Sequence, residues 1–268
     1  MNIGVIGVGN IGSIFVERLI DTDENHIVIY DRNPLRMDSF AGEDNVKAAG
    51  SVDEVVDKSE LLIVAVKPQD AGELLEELRK VSVSEKILVS TITGVTTEKI
   101  KKLAGANFIA RIMPNVPAAI GKGVTGLHLD DSLDDEKKEK VLSILKKLGA
   151  VVEVEEKHFS AVTALSGSGP AFVFVIVESL IDIGLKMGLS YDKARELIID
   201  TLIGSGELLK ERGSHPGEFR HLVTSPSGTT IEGIYSLERD AFRGTIMKAL
   251  FDTYIKAKEL SEDIEDSY

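Results

Sequence analysis

The chain has 268 residues, enough for one large or two modest domains, and 43% of them are hydrophobic, which supports a proper core. It has no cysteine, which excludes disulfides, a thiol nucleophile and a thiolate metal site. A net charge of −13 argues against nucleic-acid binding through a general basic surface, but not against a small anion held at a local site.

Met1 to Ile6 is a short apolar run suited to a buried parallel strand. It carries no basic stretch ahead of a long apolar one, so no signal peptide is expected. Gly7-Val8-Gly9-Asn10-Ile11-Gly12 follows, and Ser13 to Ile20 places Ile14, Phe15, Leu19 and Ile20 on a helix face. A strand before GxGxxG and a helix after it is the context the dinucleotide fingerprint demands. Gly7 permits the tight turn, Gly9 lets a pyrophosphate approach the backbone, and Gly12 lets the helix pack on the strand. A glycine turn with no ligand is the bland alternative.

His26 to Tyr30 reads as a second strand, ended by Asp31. Asp31 lies about 20 residues past Gly12, the place of an acid that grips the ribose 2′-OH of NAD. Arg32 and Asn33 follow, and an arginine there can pair with the 2′-phosphate of NADP, which Asp31 repels unless it turns away. Both cofactors are therefore expected to serve. Ser51 to Lys58 reads as a short helix, and Leu61 to Val66 as an apolar strand ended by Lys67-Pro68. Ala71 to Val81 is helical, Lys86 to Thr91 a strand, Thr97 to Leu103 a helix, and Phe108 to Met113 a strand stopped by Pro114 and Pro117. Gly123 to Leu129 is a further strand, Asp134 to Leu148 a charged amphipathic helix and Val151 to Val154 a last strand.

This alternation implies a Rossmann-like α/β domain over residues 1–156, a parallel sheet with helices on both faces. Ligands of such sheets lie at the carboxyl ends of strands. That directs attention to Asp31-Arg32-Asn33, Ala65-Val66-Lys67-Pro68, Thr91 to Gly94 and Met113-Pro114-Asn115. Lys67 either helps hold a cofactor or completes a loop. Asn115 either faces a nicotinamide or makes an Asx turn. The acidic run Asp130 to Glu139 reads as a solvated helix start, and no metal is expected. His26, His128, His158 and His221 lack partner spacing for metal or triad chemistry.

From about Lys157 strand signals stop, and residues 157–268 read as an all-helical domain. Ser168-Gly169-Pro170 starts a helix to about Met187 that is apolar nearly all round, with Gly188 as its cap, and it is expected to be buried on most sides. Ala171 to Val177 is its greasiest part and stops at Glu178; no apolar run reaches the about 18 residues of a membrane span. A soluble cytoplasmic protein is expected. Tyr191 to Leu209 is a further helix, Thr230 to Ala257 one or two more, and Glu259 to Tyr268 an acidic, frayed end. So much apolar helix surface in about 110 residues implies packing against a partner chain.

His215 to Thr230 ends in a run of hydroxyls, proline and glycine just before a helix. Ser225, Thr229 and Thr230 supply hydroxyl donors, Gly228 lets the backbone come close, and the helix start adds free N–H groups and partial positive charge. The turn is built either to hold an anion or simply to cap the helix. His215, before Pro216, reads as structural.

Several of these stretches together identify a resemblance. Gly7 to Gly12, Ala65-Val66-Lys67-Pro68-Gln69, Arg111 to Pro117, Ala164 to Ala171, Lys186-Met187-Gly188-Leu189, His215-Pro216-Gly217 and Val223 to Thr230 resemble the pyrroline-5-carboxylate reductases across nearly the whole length. Ser227 departs from the pattern, standing where the family usually has glycine; if that position needs positive φ, serine strains it. The resemblance implies NADPH- or NADH-dependent reduction of the ring imine of 1-pyrroline-5-carboxylate to L-proline, the last step of proline synthesis. It implies a carboxylate clamp at Ser225, Gly228, Thr229 and Thr230, with Thr230 near the imine nitrogen as an orienting group. It further implies a homodimer through interlocked helices of the second domain, built up in many members into rings of dimers. There the Val223 to Thr230 loop of one chain meets the nucleotide domain of its mate. Two other readings stay open: a reductase of another cyclic imino acid or of a deazaflavin, and a nucleotide sensor without turnover.

Overall fold

A computed structural model describes residues 1–20 and 25–267, the last four by their backbone alone. The chain divides into two compact units, Met1–Pro170 with Thr253–Tyr268, and Ala171–Asp252.

The first unit is built on one sheet in the order β3-β2-β1-β4-β5-β6-β7-β8. Its strands are β1 (Asn2–Ile6), β2 (His26–Tyr30), β3 (Val46–Ala48), β4 (Leu61–Val64), β5 (Ile87–Ser90), β6 (Phe108–Met113), β7 (Gly123–Leu129) and β8 (Gly149–Glu153). Every residue of β4 and β5 is buried, as continuous aliphatic runs predict for strands covered on both faces. Helix α1 (Asn10–Ile20) packs Ile14, Phe15 and Leu19 into one core together with Val141, Ile144 and Leu145 of α5 (Asp135–Leu145). On the opposite face α2 (Val52–Lys58), α3 (Pro68–Lys80) and α4 (Thr97–Ala104) bury Val55, Leu75, Leu78 and Ile100. Ser51, Thr96 and Asp134 cap α2, α4 and α5 by accepting an N–H of the first turn.

The sheet is mixed, which corrects the expectation of a parallel one. β1 through β6 run parallel, but β7 pairs antiparallel with β6, and β8 parallel with β7. The link from β6 to β7 holds only a 3-10 turn, Val116–Ile120, and has no crossover helix, so the chain turns back beside the strand it left. β3 escaped notice because it is a three-residue edge strand with exposed Lys47 and Ala48.

After β8 the chain enters a helical stretch made of α6 (Phe159–Val162), a π-helical turn (Thr163–Gly167) and α7 (Gly169–Lys186). Its origin is pinned by Glu156, which accepts from the Thr97 N–H (2.7 Å) and hydroxyl (2.9 Å) and from Arg111 Nη1 (3.1 Å). Arg111 also lies over the Phe159 ring, 4.5 Å from its centre. The expectation that no apolar run reaches membrane-spanning length is corrected here. Glu156–Lys186 includes an 18-residue window of mean hydropathy 1.7, long and apolar enough to cross a membrane by those criteria. The cause is uncharged Ser, Thr, Gly and Pro: no Asp, Glu, Lys or Arg stands between Lys157 and Glu178.

The second unit contains the body of α7, then α8 (Tyr191–Arg212), α9 (Pro216–Leu222), α10 (Thr229–Arg239) and the start of α11 (Phe242–Ser267). α7 ends at Gly188, whose φ of +92° lets Leu189 N–H reach back to the Gly184 carbonyl. The seven-residue α9 lay inside a stretch read as a turn; His215 caps it by accepting the Gly217 N–H at Nδ1. The acidic end expected to fray is helical as far as Ser267, and Tyr268 lies outside the described residues. Burial of α7 on most sides does not occur within the chain: of its residues only Ile181 and Gly184 are buried, and Phe174 and Val175 are about 60% exposed.

Ser227 has φ of +59°, so the serine does occupy a left-handed position. We expect S227G to raise stability by about 0.5–1 kcal/mol, the left-handed penalty less the entropy glycine loses on folding. Denaturant titration in which S227G unfolded earlier than the parent would refute this.

Candidate active site

In the sheet order, β1 and β4 are neighbours although the chain visits β2 and β3 between them, so the crevice above their carboxyl ends is the switch point of the sheet. A cleft of about 900 Å³ opens there, and Gly7, Val8, Gly9, Asn10, Ile11, Asp31, Arg32, Asn33, Ala65, Val66, Lys67, Pro68, Thr91 and Thr93 line it.

Each glycine of the loop has its own reason. Gly7 has φ of +92°, and a Cβ there would stand 2.7 Å from the Ala65 carbonyl oxygen. A Cβ on Gly12 would lie 1.8 Å from the Gly7 carbonyl oxygen, so α1 packs on the loop only without one; Gly12 does not line the cleft. A Cβ on Gly9 would meet only Arg36 Nη1, at 3.9 Å, and would otherwise fill open cleft. Steric bulk at Gly9 is thus harmless to the fold and obstructs whatever comes to the first N–H groups of α1. This is a cradle shaped for a phosphate-bearing ligand.

Asp31 is buried and braces that cradle. Its Oδ2 accepts the Val8 N–H (2.7 Å) and faces Arg36 Nη1 (3.3 Å), while Oδ1 accepts the Asn33 N–H (2.8 Å). Asn33 spends its side chain on capping a 3-10 turn, Pro34–Arg36, and that turn swings Arg36 back to the cleft wall. Sequence reasoning missed Arg36, because nothing in the spacing past Asp31 announces a return; the Asn33-Pro34 turn signal could have suggested it. Arg32 bonds Glu73 (2.7 Å) with Asp70 farther off (3.8 Å), and the hydrogen bond that its guanidinium donates to Glu73 pushes it further up from an already high value. Lys67 is exposed at the start of α3 and has no ion-pair partner among the described residues.

Asn115 does not line the cleft. Its Oδ1 accepts the Val124 N–H (2.9 Å) and its Nδ2 donates to the Ser166 carbonyl (3.0 Å).

The hydroxyl turn belongs to the second unit. Gly228, not a hydroxyl, is the N-cap of α10, and no side chain caps that helix. None of the three hydroxyls is spent on capping the helix. Ser225, Thr229 and Thr230 are exposed, and their hydroxyls have no hydrogen-bond partner among the described residues. The turn is closed by the Gly228 N–H donating to the Ser225 carbonyl (3.1 Å). A Cβ on Gly228 would fall 2.3 Å from Ser225 Oγ, so the serine hydroxyl lies directly over the glycine backbone. Free hydroxyls at a helix start, with the first-turn N–H groups behind them, suit a carboxylate.

Comparison with known proteins gives a family match for each half of the chain. Residues 156–260 match the family model described as pyrroline-5-carboxylate reductase dimerisation, and residues 2–94 the one described as NADP oxidoreductase coenzyme F420-dependent. A pyrroline-5-carboxylate reductase of Aquifex aeolicus is 38% identical over 97% of each chain. One from Methanosarcina acetivorans is 34% identical over 97% of this chain and 98% of its own. Among solved structures, the Plasmodium falciparum pyrroline carboxylate reductase with NADP bound superposes with a TM-score of 0.88 at 29% identity, covering 97% of this chain and 98% of that one. The Coxiella burnetii pyrroline-5-carboxylate reductase gives 0.86 at 34% identity, with the same coverage.

The glycines separate fold from binding. G9A is expected to keep the parent's melting temperature within about 2 °C, since it meets open space, yet to weaken NADPH binding at least tenfold. G12A is expected to melt several degrees lower, because its methyl group collides with backbone. Fluorescence titration and thermal melts check the pair; a G9A protein that binds like the parent would remove the cradle assignment.

Proposed function

The chain belongs to the pyrroline-5-carboxylate reductase family, and we propose that it reduces the ring imine of 1-pyrroline-5-carboxylate to L-proline with NAD(P)H. The observation that carries this is the pairing of a dinucleotide cradle with a helix-start turn whose hydroxyls are left free for a carboxylate. Residues 1–156 serve as the nucleotide-binding domain and 157–268 as the dimerisation and substrate-binding domain.

When bound, the cofactor supplies the hydride. The protein's part is binding and orientation, since a protonated imine is already a good acceptor and needs no nucleophile. Gly7, Gly9, Asn10 and Ile11 form the pyrophosphate cradle, with Gly12 letting α1 pack close behind it and Ala65, Val66, Lys67 and Pro68 along the end of β4. Ser225, Gly228, Thr229 and Thr230 hold the carboxylate, and Thr230 orients the imine nitrogen. A threonine hydroxyl is a poor acid, so the imine arrives protonated from solvent or takes its proton through an ordered water.

Asp31 serves the ribose of NADH, and Arg32 with Arg36 flanks the place of a 2′-phosphate, so both cofactors serve. The bonds of Asp31 to Val8, Asn33 and Arg36 still leave acceptor capacity on the carboxylate for a ribose hydroxyl. The match to a coenzyme F420-dependent model stops at residue 94, within the nucleotide half, whereas the match over 156–260 is to the reductase, and this favours the imino acid over a deazaflavin.

The exposed apolar residues of the second unit include Phe174, Ile203, Tyr235 and Met247, and they fit a homodimer. Light scattering is expected to give no species smaller than a dimer; an active monomer would contradict it.

The functional test is NAD(P)H oxidation with pyrroline-5-carboxylate and chiral analysis of the product, expected to be L-proline. In the same assay S225A should raise the substrate KM about ten- to hundredfold, the loss of one charge-assisted hydrogen bond of about 1.5–3 kcal/mol. Cofactor binding without turnover would leave the sensor reading in place of this one, and an NADPH advantage above about a hundredfold would remove Asp31 from the ribose.

A further inference from the structure

Asn115 sits just beyond β6. In the antiparallel register Met113 faces Gly126, so two residues on Asn115 comes opposite Val124, where strand pairing has already ended. Its side chain takes over there, accepting the Val124 N–H through Oδ1. The same amide donates through Nδ2 to the Ser166 carbonyl. Only one orientation of the amide satisfies both partners, because one needs an acceptor and the other a donor.

The Ser166 carbonyl needs this donor for a reason written in the sequence. In an α-helix it would accept from residue 170, which is Pro170 and has no N–H. The segment has also widened into a π-turn over Thr163–Gly167, closed by the Ser168 N–H on the Thr163 carbonyl at 2.8 Å. π-turns are costly local insertions that persist where something holds them. A Cβ on Gly167 would rest 3.7 Å from the Met113 side chain, so the turn lies against the end of β6 itself. That strand end is on the crevice side of the sheet, the side where the cradle also lies.

We propose that Asn115 is a positioning residue: it docks the π-turn onto the carboxyl end of β6 through the Ser166 carbonyl left without a helical donor by Pro170, and so fixes one wall of the reduction site. This rests on the reductase reading for its consequence but not for its geometry. N115D removes the donor and keeps the acceptor. P170A supplies the missing N–H, which makes the donor dispensable.

The experiment measures three properties on the full-length dimer. They are amide exchange at Ser168 without ligands, NADPH affinity by fluorescence, and kcat and KM with pyrroline-5-carboxylate. In N115D we expect exchange at least tenfold faster, kcat at least tenfold lower and NADPH affinity within threefold of the parent. In N115D/P170A we expect exchange protection and most of kcat to return. A loss of NADPH affinity parallel to the loss of kcat would overturn the proposal, since Asn115 would then touch the cofactor. Unchanged exchange in N115D, or a double variant as impaired as the single one, would overturn it as well. If N115D does not fold, a folded double variant supports the proposal and an unfolded one overturns it. A parent enzyme without turnover would sink the reductase reading alone, because the exchange measurement still reports on the link between Asn115 and Ser166.

Discussion

The hydrogen bond from the Val8 N–H to the buried carboxylate of Asp31 joins the loop after β1 to the end of β2 at 2.7 Å. With one N–H of the loop fixed this way and Gly7 held in positive φ, the start of α1 is aimed into the cleft rather than away from it. This matters more in an acidic chain than in a neutral one. A net charge of −13 offers a dinucleotide or a small acid no general attraction, so binding must come from oriented peptide N–H groups and a few local cations. Both candidate anion sites, at the starts of α1 and α10, follow that logic. At each, a glycine keeps the backbone approachable, Gly9 by leaving space and Gly228 by letting Ser225 fold over it.

The second unit poses the opposite problem. Its helices carry Val173, Phe174 and Val175 on α7, Ile203 on α8, Tyr235 on α10 and Phe251 on α11, all largely exposed in the single chain. Burying a side chain of this size is worth about 1.5–3 kcal/mol, and this helical unit forgoes that at position after position. A fold of that kind is stable as part of an assembly, and the match of 156–260 to a dimerisation family says where its relatives find the missing contacts. The same uncovered surface explains why part of Glu156–Lys186 has the hydropathy of a membrane span. Hydropathy counts apolar residues without regard to what covers them.

What the sequence made legible was what local chemistry decides. The glycine loop, the aliphatic strands and the strain at Ser227 each depend on a few adjacent residues, and each could be read. What was not legible depended on distant partners. The antiparallel turn of β7 is a matter of connection length rather than of strand composition. Arg36 reaches the cleft through a turn set by Asn33. The burial expected of α7 assumed a cover that the single chain does not provide. Asn115 could be read from its neighbours only as an Asx turn or a nicotinamide contact, and its partners are 9 and 51 residues away.

Between capping and anion binding at residues 225–230, the deciding fact is a division of labour between residues. A helix start needs one acceptor for its first N–H groups, and serine or threonine is the usual choice. Here three hydroxyls stand within reach of α10, yet the cap position is taken by Gly228, which has no side chain to offer, and the first-turn N–H groups receive no side-chain acceptor. A sequence shaped for helix stability alone would place Ser225 or Thr229 at the cap. Tolerating φ of +59° at Ser227 costs stability, and it is accounted for if a carboxylate completes the turn. In that case the helix acquires its N-terminal acceptor only when the substrate is bound.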